Sequence, residues 1–269
     1  MRNTFLHNAF PGLSCIVFCM LAIPAQAQQS RLSFYQYFSP VELTGNWVSV
    51  VTEDWHTRMV APVRDDYDGL PLTQRAREVA ASADLEKIQN DGLACMAYGA
   101  ARILREPGRL KISWADDDTL MIETDAGQQT RLLHFDNIPI AGEPGLQGLS
   151  VAQWEYPVGF DAVRAKLNYL ENSNAGRAQE IAVPGSGKLY VETGNLTEGM
   201  LRKNGVPTST ATVVKEYFNV IEGPGNTEWL IVTTIVSDPV NLLVDHITST
   251  NFKRETDDAG WNPKPCRLL

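Results

Sequence analysis

Near neutral pH, histidine is the side chain that most readily gives and takes a proton. Beyond residue 27 this chain of 269 residues has three, His56, His134 and His246. His56 follows Glu53 and Asp54 and precedes Arg58. A carboxylate beside a histidine orients the ring or raises its pKa, which is the arrangement of a general acid–base pair. The same residues at the end of a strand would equally form a polar rim. His134 alternates with Thr130 and Leu132, while Arg131 shares the other face with Leu133 and Phe135. An inward Arg131 requires a carboxylate partner, and Glu123 or Asp125 on the neighbouring strand would supply one. Together His56 or His134 as acid–base, Glu53 or Asp54 as its partner and Arg131 as an anion stabiliser would suit a lyase, hydratase or isomerase that uses no cofactor.

Other chemistries find less support. The three histidines lack ligand spacing such as H-x-x-x-H, so no metal site is expected. Asp116-Asp117-Asp118 lacks the spaced ligands and following Glu of a calcium loop. There is no G-x-S-x-G elbow, and Gly185-x-Gly187 has no strand–turn–helix setting for a nucleotide.

Trp47, Trp55, Trp114, Trp154 and Trp229 fall in or at the ends of predicted strands. They are either core or the wall of a cavity for a small apolar or aromatic molecule. On the second reading Glu53, Trp55, His134 and Trp154 are the expected lining.

The elements that must position these residues are mostly strands. The stretch LTGNWVSVVTEDW opens with a predicted strand over 45–52, and alternation assigns Trp47, Ser49, Val51, Glu53 and Trp55 to one face for as long as the strand persists. Residues 73–89 carry apolar side chains near helical spacing behind Thr73 as N-cap, and 93–104 reads as a second helix. From Arg109 three runs alternate between turns at 115–118 and 126–127, an antiparallel meander. Further strands are predicted at 148–156, 188–193, 210–221, 228–236 and 246–254, with a helix at 160–171 and an Asn204-Gly205 turn. About nine strands joined mainly in sequence predict an all-β antiparallel up-and-down barrel with helical cap insertions.

The chain begins as an export signal: Arg2, an apolar run at 13–23, and Ala25-Gln26-Ala27 as a cleavage site, with cleavage expected after Ala27. Residues 28–269 then form one domain, periplasmic or secreted, with no stable membrane span. The formal charge is −9, and removing Arg2 leaves 22 bases against 32 acids. That balance argues against nucleic acid or an anionic membrane surface as partner. Past the signal only Cys95 and Cys266 remain, and two cysteines in an exported protein suggest one disulfide, two free thiols being the alternative.

Gly45-Asn46-Trp47 at the first strand of a meander resembles the G-x-W of lipocalin-like (calycin) barrels. The resemblance implies that Trp47 plugs one end of the barrel and that Arg254 or Lys253 packs on it. The helical region 73–105 departs from a plain lipocalin. The runs LTGNWVSVVTEDW, CMAYGAARILREPGRLKISWADDDTLMIETDAGQQTRLLHF, LRKNGVP and ITSTNFKRE…GWNPKPC are similar to a family of exported bacterial proteins of uncharacterised activity, relative to which 158–186 is an insertion. The residues and the barrel architecture lead first to a binding protein for a small apolar or aromatic ligand in the barrel. The cofactor-independent enzyme comes second, and an interaction module with a self-filled barrel third.

Overall fold

Apolar alternation produces eleven strands among the described residues: β1 Gly45–Val50, β2 Arg109–Trp114, β3 Thr119–Thr124, β4 Thr130–His134, β5 Leu149–Glu155, β6 Lys188–Gly194, β7 Gly199–Arg202, β8 Val206–Thr208, β9 Val213–Gly223, β10 Thr227–Ser237 and β11 His246–Glu255. The helices are α1 Phe34–Tyr37, α2 Trp55–Arg58, α3 Gln74–Ser82, α4 Leu85–Asn90 and α5 Ala162–Asn174. This computed structural model describes Met1 and residues 33–60, 62–136, 138–174 and 183–268. Residues 2–27 of the expected signal lie outside the described residues, as do 175–182 of the expected insertion.

Nine strands close a barrel in the order β1-β11-β10-β9-β6-β5-β4-β3-β2, and β7–β8 pair apart as a hairpin. Strands that strictly alternate in direction can close only in even number, so a nine-stranded barrel needs a parallel neighbour pair. That pair is β4–β5, joined at Leu133↔Ser150 and His134↔Val151. The remaining neighbours are antiparallel. The barrel is therefore antiparallel and lipocalin-like except at this one parallel seam.

Inward side chains fill the barrel section. Trp47, Ile112, Leu120, Ile122, Leu189 and Phe218 belong to one contiguous core, each at most 2% exposed. The expectation from G-x-W is met by Arg254, the register partner of Trp47, whose guanidinium carbon lies 4.1 Å from the indole centroid. Trp47 Nε1 donates to the Leu43 carbonyl at 2.8 Å. Gly45 is obligatory in this motif: its φ is +112°, and a Cβ there would sit 2.9 Å from Arg254 Nη1.

The first rim, where β2, β4 and β5 end, is closed by aromatics. Trp154 Nε1 donates to the Tyr35 carbonyl at 3.0 Å, and the Phe135 ring packs on Tyr35, Trp114 and Trp154. The second rim is capped by α2, α3, two 3-10 turns at Ala94–Tyr98 and Ile103–Arg105, and the β7–β8 hairpin. A smaller core of Leu70, Leu72, Ala76, Ala80, Leu201 and Val206 joins this cap to Val214 and Val236 of the barrel. Cys95 and Cys266 form the disulfide that fastens the first 3-10 turn to the C-terminal tail.

Three sequence expectations change. The first strand stops at Val50, because Asp54 takes a left-handed φ of 51° and turns the chain into α2; a short polar side chain tolerates that conformation. The helix read over 73–89 breaks at Ala83, whose ψ is 126°, after which Asp84 caps α4 through Lys87 N. The second helix, read over 93–104, is a pair of 3-10 turns.

Candidate functional site

Charged side chains gather at the second rim. The turn after β1 presents Glu53 and Asp54, and α2 turns Arg58 inward to 1% side-chain exposure. The second 3-10 turn brings Arg102 and Arg105, β7 brings Arg202, and His246 opens β11. Arg58 Nη1 and Arg105 Nη1 share Glu53 Oε1 at 2.9 and 3.2 Å. Arg105 Nη2 meets Asp54 Oδ2 at 2.6 Å and its Nη1 donates to the Ser249 carbonyl at 3.0 Å. Arg202 donates to the carbonyls of Asp66 and Asp68 at 3.0 and 2.9 Å. Arg102 pairs with Glu106, which also takes Lys203 Nζ at 2.7 Å.

Two cavities open among these residues. The outer one, about 680 Å³, is walled by Glu53, Arg105 and His246 on its polar side and by Leu70, Val244 and Ile247 on its apolar side. The inner one, about 60 Å³, lies against Arg58, Arg102, Arg105 and Arg202. They share Asp54, Gly69, Leu70, Arg105, His246 and Thr248 as walls, so the inner cavity lies behind the outer. Hollows elsewhere, of about 370 Å³ beside residues 39–42 and about 420 Å³ over β5 and β6, gather no cationic side chains.

Two donors belonging to the inner walls are unmet. Arg58 Nη2 and Arg102 Nε are buried without a hydrogen-bond partner, and an unmet buried donor costs about 1–3 kcal/mol. Cationic forms are disfavoured here. Burial, then Arg105 and Arg202, hold the His246 imidazole down to about 4 against the pull of Asp54. Burial, then Arg105, push Arg58 down to about 10, and burial likewise lowers Arg202. A buried site crowded with guanidinium groups favours an incoming anion.

Of the residues weighed from the sequence, only Glu53, Asp54 and His246 lie in this mouth. Trp55 and His56 follow the turn onto the outside of α2, where Trp55 is 65% exposed; their rings touch each other, and no hydrogen bond joins His56 to either carboxylate. His134 sits at the opposite rim with Nδ1 3.3 Å from the Thr119 hydroxyl, beside the aromatic closure that holds Trp154. Glu53, Trp55, His134 and Trp154 therefore do not line one cavity. Arg131 does face inward, at 1% exposure, but its partner is Glu216 of β9, at 3.0 and 2.6 Å. Glu123 is on the outer face of its strand, and Asp125 Oδ1 accepts from Arg109 N at 2.7 Å. Arg102, Arg105, Arg202 and His246 were not among the expected site residues. The one sequence signal for the arginines is their placement beside the apolar Ala101, Leu104 and Leu201.

No protein-family model matches the chain. No curated protein matches it either. Among solved structures, an acyl-CoA hydrolase from Agrobacterium tumefaciens is similar over 82% of this chain and 98% of that one, at 9% identity and a TM-score of 0.17. A likeness at that level carries no argument about fold or activity.

Proposed function

We propose that this chain is an exported binding protein for a small apolar or aromatic molecule, held at the second mouth of the barrel and not in its lumen. The observation that carries this reading is the outer cavity: about 680 Å³, within the range of small-molecule sites, with apolar walls rimmed by a few convergent charges. Val244 and Ile247, 66% and 62% exposed, give its lip an unusually apolar character. Acid–base catalysis would need a histidine–carboxylate pair in hydrogen-bond reach, and neither His56 nor His134 makes one, which favours binding. Export to the periplasm is supported by the Cys95–Cys266 disulfide, since such bonds persist in oxidising compartments. Among the described residues no helix is long and apolar enough to cross a membrane. The Trp47–Arg254 stack supports kinship with the exported calycin-like barrels that the sequence resembles.

Native mass spectrometry on protein recovered from the periplasm tests this. The expected species is a chain starting at Gln28, two hydrogens lighter than its reduced form, carrying a small molecule that is lost on mild denaturation. A full-length chain would overturn export, and an empty protein that also fails to take up a neutral apolar dye would overturn binding.

A further inference from the structure

Resting on that reading of the mouth, we propose that the ligand carries a carboxylate and that the inner cavity, between Arg58, Arg102 and Arg202, is the socket for this group. Several observations converge. The inner cavity, at about 60 Å³, accommodates a small polar group and not a whole ligand. The facing Asp54 and Asp68 walls would also oppose a dianion more than a monoanion. Guanidinium groups match a planar carboxylate in shape and charge.

The donors are waiting. Arg58 Nη2 and Arg102 Nε have no partner, whereas Arg105 is already taken up by Glu53, Asp54 and the Ser249 carbonyl. The shared walls then place whatever the carboxylate is attached to in the outer cavity, against Leu70, Pro71, Val244 and Ile247. The ligand so defined has an anionic head and an apolar body. The depressed pKa values of His246, Arg58 and Arg202 fit the same field, because a negative charge in the socket offsets it.

The test uses the purified mature protein and four probes: the neutral dye N-phenyl-1-naphthylamine, octanoate, 1-octanol and acetate. The dye reads the outer cavity alone. If the proposal holds, octanoate displaces it at about tenfold lower concentration than 1-octanol, the return from one added charge-assisted contact. Arg58→Gln abolishes the preference for octanoate over 1-octanol. Should Arg58→Gln fail to fold, the wild-type comparison still decides. Acetate reads the socket without a tail, and at fixed ionic strength it raises the thermal midpoint above that in acetamide. Dye binding with no octanoate preference and no acetate effect overturns the socket and leaves the binding function standing. Absence of dye binding with an acetate effect overturns the apolar site and keeps the socket.

Discussion

At the scale of single residues, His246 shows how position rewrites chemistry. Its imidazole, held to about 4 in the fold, has an ordinary value of 6.5 when the chain unfolds. Between those two values the unfolded chain binds more protons, so folding stability falls as pH drops from about 6.5 toward 4, and it is unaffected by this group above 6.5. His246→Gln should remove the effect: wild type is expected to lose more of its urea midpoint between pH 7.5 and 4.5 than the variant does. Asp238 drifts the same way in both proteins. Burial raises its pKa, but donors from Asn241, Ser209 and Val240 together outweigh burial and pull it down, so the comparison isolates His246. Some residues were legible in the sequence for local reasons. Gly45 and Trp47 sit two apart on one strand, and their partner Arg254 lies in the adjacent strand's register. Glu53 and Asp54 were legible as a charged pair. Arg102, Arg105 and Arg202 were not, and His246 stood out only as a histidine, because these residues come from three segments that meet only when the cap folds over the rim.

At the scale of elements, the decisive feature is the inward pairing of β4 with β9. Arg131 and Glu216, 1% and 0% exposed at the side chain, reach over β5 and β6 to span the barrel. Thr193 accepts from Arg131 Nη2 at 3.3 Å and shares a 2.7 Å hydrogen bond with Ser150, so the four strands are tied by one polar layer. Removing one charge leaves the other buried alone. Glu216→Gln is therefore expected to destabilise the protein by about 3–5 kcal/mol in urea unfolding, and the double change Arg131→Met with Glu216→Leu by much less than the sum of the two single changes. Alternation identified Arg131 as one of two possible inward residues. Its partner could not be read from sequence, since Glu123 and Asp125 are near in sequence and Glu216 is near only through barrel closure. The same limit explains the first strand. Its alternation ran on to His56 in sequence, and a single left-handed residue, Asp54, ended it at Val50.

For the whole molecule, strand number and closure were legible from repeated alternation and tight turns, and the cap from the loss of alternation over 73–105. Which strands stand outside the barrel was not. β7–β8 reads like any other hairpin, and only its packing on the cap separates it. The Cys95–Cys266 bond encloses a sequence separation of 171 residues, a loop long enough for a contribution of about 4–5 kcal/mol on chain-entropy grounds. Reduction with dithiothreitol should lower the urea-derived stability by an amount of that order, and Cys95→Ser should reproduce the loss without reductant.

Odd closure also decides where the barrel breathes. The β4–β5 seam is held by two residue pairs, against eleven between β9 and β10. Opening a barrel along one seam requires breaking the rungs of that seam alone, so fluctuations concentrate where rungs are fewest. The amides of 131–134 and 149–152 are then the first in the barrel wall to exchange with solvent deuterium, and the strip that opens is the one carrying Arg131 and Ser150. The residues that lock the polar layer also border the gap through which water would first reach it.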